Sequence, residues 1–194
     1  LGSVFSPYYA SARRRGRGDP HNFCAMNVAL YGTDRTRWAM TERGRAGLSR
    51  SADELVIGPS SMAWDGDTLV VRIEEVGAPI PKRVLGTVRV HPKAMTPGPF
   101  QLDAAGRHHW WPLAPESRVE VEMLAPELRW SGDGYLDTNG GSEPLEAGFR
   151  YWDWSRAKLK QGSAVLYDAT LLDGSSRPLA LRFDGKGGSE AFEP

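Results

Sequence analysis

The sequence is poor in cysteine, and Cys24 is the single one in 194 residues. One cysteine excludes an intrachain disulfide, a thiolate metal cluster and a redox pair, so a reducing compartment fits best. The chain also has no excess of either charge, because 24 Lys and Arg side chains are balanced by 24 Asp and Glu side chains. Without a net field, nothing in the composition favours nucleic acid as a partner.

Long apolar runs are absent as well. No stretch approaches the roughly 20 apolar residues of a membrane-spanning helix, and the residues from Leu1 to Phe5 lack the basic and apolar regions of a signal peptide. We therefore expect a protein that is not integral to a membrane. The chain begins with Leu1 instead of methionine, Val4 and Phe5 resemble the end of a strand, and the polar tail over 185–194 shows no closing strand. We expect truncation at both termini.

Motifs that bind phosphate or present a catalytic serine are missing too. The sequence contains no P-loop, no Rossmann fingerprint after a strand and no Gly-x-Ser-x-Gly elbow. A nucleotide cofactor is therefore not expected.

What the sequence does contain is turn residues between short apolar stretches, a pattern typical of an all-β protein. The 22 glycines and 14 prolines divide it into short apolar stretches, and helical periodicity is almost absent. This pattern predicts an all-β fold. The candidate strands are 23–31, 36–42, 69–76, 84–90, 118–124, 148–154, 164–171 and 178–183.

Two local patterns indicate antiparallel pairing. Strict alternation over 118–124 predicts that Val119, Val121 and Met123 face a core while the intervening glutamates face water. Asp65-Gly66 between two apolar stretches predicts a hairpin whose two central residues both have positive φ.

A shift in composition near 108–115 suggests a domain boundary. We expect two β units in tandem, barrels or sandwiches, over 1–107 and 108–194, with the second short of strands. The basic run from Arg13 to Pro20 is expected to form a loop. That loop is either simply solvated or attracted to lipid headgroups.

The tetrapeptide His108-His109-Trp110-Trp111 combines two imidazoles with two indoles. On a strand, His108 and Trp110 share one face, while His109 and Trp111 point to the other. Either tryptophan could fill the core, with the histidines merely solvated or hydrogen-bonded. A metal site is not expected, because no third ligand lies at a recognisable spacing.

A second group of polar side chains lies within 130–141. If this segment is extended, Tyr135 and Asp137 share one face. The alternative is a turn in which Asp133 and Asn139 bond the local backbone.

Three aromatic residues, Tyr151, Trp152 and Trp154, lie close together in a predicted strand. Aromatic side chains of this kind usually belong to the core. The alternative is that they line the binding site of an apolar ligand.

Six motifs, taken in order, resemble the acyclic carotenoid 1,2-hydratases (hydroxyneurosporene synthases), and together they cover nearly the whole chain. The motifs are Gly2-Ser-Val-Phe-Ser-Pro-Tyr-Tyr-Ala, Asn27-Val-Ala-Leu-Tyr-Gly, Arg37-Trp-Ala-Met-Thr-Glu-Arg, Ile57-Gly-Pro-Ser, Gly134-Tyr-Leu-Asp-Thr-Asn and Trp152-Asp-Trp-Ser-Arg-Ala. The resemblance implies a lipocalin-like fold of two β-barrels. It also implies an enzyme that adds water, without a cofactor or metal, to neurosporene or lycopene to give 1-hydroxy carotenoids.

The same resemblance implies bacterial carotenoid biosynthesis on the cytoplasmic side of the inner or photosynthetic membrane, with peripheral membrane contact. Two other functions stay open for such a fold: a carrier that binds a long apolar ligand without chemistry, and a cyclase.

The family's His-x-Trp and Tyr-x-Asp motifs match His108, Trp110, Tyr135 and Asp137, although His109 and Trp111 also fit the first motif. Protonating an alkene needs an acid, and burial helps a carboxylic acid to stay protonated near neutral pH, so Asp137 is the expected general acid. Trp110 and Tyr135 are expected to stabilise the carbocation with their ring faces. His108 is expected either to orient the water and take its proton or to hydrogen-bond Asp137.

Overall fold

A computed structural model describes residues 6–32 and 36–193. The first four residues of the Gly2–Ala10 motif, which include Val4 and Phe5, lie outside the described residues. The expectation that they end an earlier strand therefore stays a prediction.

The chain forms two compact units. Unit 1 comprises Leu1–His91 and Val119–Gly132, and unit 2 comprises Pro92–Arg118 and Asp133–Pro194. The position expected as a boundary, between 107 and 108, lies inside unit 2. The division into lipocalin-like parts over 1–107 and 108–194 stays a prediction.

Unit 1 contains an antiparallel two-stranded sheet of β1 and β2 and a run of strands, β3 to β7, in which each strand pairs antiparallel with the next. Two longer strands continue the sheet order, β9 beside β7 and β10 beside β9. The strands are β1 (Cys24–Leu30), β2 (Arg37–Arg43), β3 (Leu48–Arg50), β4 (Glu54–Ile57), β5 (Ser60–Asp65), β6 (Thr68–Val76), β7 (Arg83–Pro92), β9 (His108–Ala125) and β10 (Glu127–Gly141). From β9 and β10 this unit takes the residues from Val119 to Gly132.

Unit 2 contains the remainder of β9 and β10 and a four-stranded antiparallel sheet, in which β11 to β14 pair in chain order. The short strand β8 pairs antiparallel with β9. The further elements are β8 (Phe100–Gln101), α2 (Leu145–Gly148), β11 (Phe149–Lys158), β12 (Ser163–Leu171), β13 (Leu179–Phe183) and β14 (Ser189–Ala191).

The prediction of a mainly β, antiparallel protein is confirmed. Each sheet order has two ends, so the described residues form no closed barrel. The alternation predicted for 118–124 is also confirmed, because Val119, Val121 and Met123 are buried.

Each unit has its own apolar core. In unit 1 it consists of Ala39, Ile73, Val84, Val121 and Met123. In unit 2 the core is richer in aromatic side chains and consists of Leu102, Trp110, Phe149, Val165, Tyr167, Ala169, Leu181 and Phe183.

The segment before β1 departs from the prediction, because Pro7–Arg14 forms a helix, α1. Pro7 occupies its first turn, where proline needs no hydrogen-bond partner, and the Ser6 hydroxyl accepts the Tyr9 N–H at 3.0 Å. Arg13 and Arg14 therefore end a helix, and the loop prediction for Arg13 to Pro20 is wrong there. Short 3₁₀ helices follow at Pro20–Asn22 and Arg45–Gly47.

Two further predictions need correction. The tail over 185–194 does contain a closing strand, β14, which pairs with β13. The hairpin of β5 and β6 is confirmed, but Asp65 pairs with Thr68, so Gly66 and Asp67 are its central residues. Only Gly66 has positive φ, at 57°, as in turns with glycine at the first central position.

Candidate functional site

Three of the four predicted catalytic residues come together on the neighbouring strands β9 and β10. Trp110 lies on β9, where pairing with Phe100 of β8 fixes its position, and it is completely buried. Tyr135 and Asp137 lie two residues apart on β10. They share a face because β10 is extended, as the first of the two sequence interpretations predicted.

The hydrogen bonds of this cluster converge on one carboxylate oxygen. The Trp110 Nε1–H donates to Asp137 Oδ2 at 2.8 Å, and the Tyr135 hydroxyl donates to the same oxygen at 2.9 Å. Trp110 Nε1 also lies 3.2 Å from the Tyr135 hydroxyl oxygen. No hydrogen bond to Asp137 Oδ1 is seen within the described ranges. One carboxylate oxygen is therefore held by two donors while the other stays available.

Aromatic rings surround the carboxylate. The Trp110 ring centroid lies 5.8 Å from that of Phe100 and 5.3 Å from that of Tyr167. The Tyr135 ring packs against Trp154 of β11, with the two centroids 5.2 Å apart. Asp137 thus lies half-buried at the edge of the aromatic core of unit 2.

Burial and the carboxylate charge keep the nearby phenols protonated. Burial is the main cause that raises the pKa of Tyr135 far above its ordinary value, and the negative charge of Asp137 adds to it. The same two causes raise the pKa of Tyr167 to about 12. Both hydroxyls therefore remain neutral at physiological pH, and Tyr135 remains a hydrogen-bond donor to Asp137.

His108 is buried beside this cluster but bonds elsewhere. Its side chain is 2% exposed, its Nε2 lies 3.2 Å from Glu143 Oε1, and its ring meets the edge of Phe149 at a centroid distance of 4.7 Å. Of the two alternatives for His108, the bond to Asp137 is not seen among the described residues, and the water-orienting role stays a prediction.

The geometry distinguishes the two registers of the His-x-Trp motif. His109 is exposed, and the Trp111 Nε1–H donates to the Thr96 hydroxyl at 2.9 Å. Trp110 is therefore the tryptophan that contacts Tyr135 and Asp137.

The three aromatic residues predicted as core or ligand lining are neither fully buried nor all at the site. Tyr151, Trp152 and Trp154 are 53%, 40% and 42% exposed, which argues against the core interpretation. Trp154 contacts Tyr135, whereas no ring contact is seen for Tyr151 or Trp152 in the described part of the chain. They lie on β11, at one end of the four-stranded sheet.

Sequence reasoning missed two charged residues next to the site. Arg156 stands over the Tyr135 ring with its Cζ 5.5 Å from the centroid, and Glu143 holds His108. Arg156 falls inside the Trp152–Ala157 motif, so the sequence offered a signal for it. Glu143 lies 35 positions from His108 in an undistinguished segment, and nothing in the sequence pointed to it.

Three further findings concern the described residues outside this cluster. The residues that the structure describes contain no group of three His, Cys, Asp or Glu side chains able to hold a metal ion. Across 6–32 and 36–193, no helix is both long and apolar enough to cross a membrane. A small cleft in unit 2 is lined by Thr96, Glu116 and Phe183 among others, but by none of the predicted site residues.

The family model and the relatives that match over most of this chain agree with one another. The family model described as carotenoid hydratase CrtC matches residues 1–194. The chain is 57% identical to the acyclic carotenoid 1,2-hydratase of Thiocapsa roseopersicina and 54% identical to that of Rubrivivax gelatinosus, covering 100% of this chain and 48% of each relative. Identity to the enzyme of the same name from Cereibacter sphaeroides is 42%, over 100% of this chain and 68% of the relative. The chain thus spans about half the length of the first two relatives, and no solved structure matches it significantly.

Proposed function

Because the chain belongs to the carotenoid hydratase CrtC family, we propose that it adds water to the C1–C2 double bond of an acyclic carotenoid such as neurosporene or lycopene. The product is a 1-hydroxy carotenoid, and the reaction is acid-catalysed without a cofactor. The observation that carries the proposal is the Asp137 carboxylate, held by two donors on one oxygen beside buried aromatic rings.

Asp137 is the proposed general acid in its protonated form, and Oδ1, the oxygen without a hydrogen bond among the described residues, is the oxygen that carries the proton. Transfer of this proton to C2 leaves a tertiary carbocation at C1, which one water molecule captures. The proton that the bound water then loses returns to the carboxylate, so one water is consumed and the acid is restored. Trp110 and Tyr135 support the step, because their hydrogen bonds stabilise the carboxylate that remains after proton transfer.

The two aromatic residues have different proposed roles. Arg156 already places a positive charge over the Tyr135 ring, so a carbocation against the same ring would be repelled. Tyr135 therefore acts through its hydroxyl, and Trp110 offers the ring that stabilises the cation. An indole face contributes about 2 kcal/mol to a desolvated cation, which is a fraction of the barrier.

His108 is proposed to orient the attacking water, held by Glu143. The exposed aromatic side chains of β11, Tyr151, Trp152 and Trp154, are proposed to bind the apolar chain of the substrate and guide its end towards Asp137. The contact of Trp154 with Tyr135 supports this path.

The wider setting is also part of the proposal. Strands β3 to β7 and β11 to β14 each pair in chain order, which is the connectivity of up-and-down lipocalin barrels, and this supports a lipocalin-like fold for the family. A substrate that dissolves in lipid favours peripheral contact with a bacterial membrane on its cytoplasmic side.

The test is to incubate this chain, and a version extended to the length of its relatives, with lycopene in liposomes and to analyse the products by mass spectrometry. We expect a product that has gained one water. A bound but unchanged carotenoid would instead favour a carrier, and a product of unchanged mass would favour a cyclase.

The acid assignment is tested by Asp137→Asn, which keeps the shape of the side chain but removes the transferable proton. We expect hydration to be lost while substrate binding persists. Asp153→Asn, on the exposed strand β11, is the matched control and should keep full activity. Turnover of Asp137→Asn comparable to the unaltered protein would rule out Asp137 as the acid.

A further inference from the structure

Arg156 is an unusual cation for its surroundings. It lies half-buried on β11, and no carboxylate is within ion-pair distance of it in the part of the chain that the structure describes. Its Nη2–H groups donate instead to two main-chain carbonyls, Pro115 O at 3.0 Å and Gly134 O at 3.4 Å. Burying a cation without a carboxylate partner is unfavourable, which indicates that Arg156 has a function at this position.

The two carbonyls link Arg156 to both strands of the site. Pro115 belongs to β9, which carries Trp110, and Gly134 directly precedes Tyr135 on β10. The planar guanidinium has several donors in a fixed arrangement, so it can hold two carbonyls and still lie over the Tyr135 ring. A neutral side chain without N–H donors could make none of these contacts.

The ring of Tyr135 is held by two side chains of β11. Trp154 packs against it at a centroid distance of 5.2 Å, and the Arg156 Cζ lies 5.5 Å from its centroid. The hydroxyl at the end of this ring donates to Asp137 Oδ2 at 2.9 Å. Any tilt of the ring therefore moves the hydroxyl away from the carboxylate.

We propose that Arg156 is a positioning residue that holds the Tyr135 ring, through its guanidinium and its two carbonyl contacts, so that the hydroxyl stays on Asp137. Arg156 touches neither substrate nor reacting atoms and acts only through Tyr135. The inference rests on the proposed function for its effect on rate but not for its effect on the ring.

The kinetic test combines Arg156→Met and Arg156→Lys with Tyr135→Phe. Arg156→Met should lower kcat about tenfold, the loss expected for one cation–π contact, with KM changed less than twofold. Arg156→Lys keeps the charge and should restore part of the rate. In the Tyr135→Phe background, Arg156→Met should cost no further rate, because the hydroxyl that it positions is gone. Arg150→Met, at an exposed arginine on the same strand, is the matched control and should change nothing.

A full tenfold loss from Arg156→Met in the Tyr135→Phe background would overturn the proposal, since Arg156 would then act independently of the hydroxyl. A second measurement needs no activity: the flip rate of the Tyr135 ring, followed by NMR in the unaltered protein, Arg156→Met and Arg150→Met. Faster flipping only in Arg156→Met supports the positioning role, even if the protein proves not to hydrate carotenoids. Equal flip rates in all three proteins would overturn it, even if hydration is found.

Discussion

At the scale of single residues, Trp110 provides two things that can be separated by substitution. Its Nε1–H donates to Asp137, and its buried ring lies among Phe100 and Tyr167. Trp110→Phe removes the donor but leaves a ring, so we expect kcat for hydration to fall roughly 10- to 100-fold, the cost of one hydrogen bond to a charged group. Trp110→Ala also removes the ring and should lose about a further thirtyfold.

The control for this pair is stability, because truncating a buried tryptophan costs about 3–5 kcal/mol of unfolding free energy. Kinetics must therefore be measured where urea titration shows both variants to be folded. Equal kinetic losses in the two variants would mean that Trp110 serves packing and not charge stabilisation.

The sequence indicated this residue-scale site better than its surroundings. Alternation predicted that His108 and Trp110 share one face of their strand and that Tyr135 and Asp137 share one face of theirs. The resemblance then joined the two pairs in one site. The hydrogen bonds to Oδ2 follow from the pairing of β9 with β10, which no local pattern reveals. Glu143 and Arg156 were not predicted as site residues for the same reason, since their partners are distant in sequence.

At the scale of elements, the start of β9 depends on Asp103. Its Oδ1 accepts the Arg107 N–H at 3.1 Å and its Oδ2 accepts the His108 N–H at 2.9 Å, which fixes the turn between β8 and β9. Burial alone would raise the pKa of Asp103, but the two backbone N–H groups hold it below 3.8, its ordinary value. This contribution to stability is therefore present above about pH 4 and is lost as the pH falls through the lowered pKa of the folded state.

We expect Asp103→Asn to lower the free energy of unfolding at pH 7 by about 1–3 kcal/mol, because an amide can accept only one of the two bonds. Urea unfolding at pH 7 and at pH 3 measures the difference between the two proteins. The difference should shrink at pH 3, and a difference that does not change with pH would contradict the assignment.

The turn between β11 and β12 offers a second test at this scale. Gly162 and Gly174 both have a φ of 86°, but their surroundings differ. A Cβ at Gly162 would lie 1.8 Å from the Phe183 carbonyl oxygen, whereas nothing lies within 4 Å of one at Gly174. Gly162→Ala should therefore cost roughly 3 kcal/mol or more in unfolding free energy, and Gly174→Ala only about 1 kcal/mol. Thermal unfolding of the two variants measures both costs, and similar values would show that the backbone carbonyl moves aside easily.

The sequence predicted strands well where alternation or branched side chains were strong. It missed β3, β4, β8 and β14, which have two to four residues and too few side chains for a pattern. Ser131-Gly-Asp-Gly134 is typical of a turn, yet it lies within β10, because pairing with β9 keeps the backbone extended. Helix α1 was missed because it buries no side chain and so lacks an apolar stripe.

At the scale of the whole molecule, the sequence predicted two units but not how the chain contributes to them. A composition shift marks only a change along the chain, whereas β9 and β10 each supply residues to both units. Along β9 the buried face changes over 114–117, where four consecutive residues are buried, just before the unit boundary at Arg118. These residues, Ala-Pro-Glu-Ser, show no alternation of apolar and polar side chains that would reveal the change in the sequence. Division into units is therefore a property of the sheet and not of any segment.

The reactivity of Cys24, the only cysteine in the sequence, measures how readily unit 1 opens. Cys24 is fully buried, with its Sγ 3.5 Å from the His21 carbonyl oxygen, and burial raises the pKa of the thiol above its ordinary 9.0. We expect a thiolate-specific disulfide reagent to react with the native protein at pH 8 at least about a hundredfold more slowly than with the protein in urea, because burial restricts access to the sulfur and lowers the thiolate fraction. Immediate labelling of the native protein would show that unit 1 opens far more readily than its core suggests.

The same thiol predicts how stability changes with pH. Because the pKa is raised in the folded state, the stability that the protonated thiol provides is complete below pH 9 and is lost as the pH rises through the folded value. The free energy of unfolding of Cys24→Ala should therefore fall less between pH 8 and pH 10 than that of the unaltered protein.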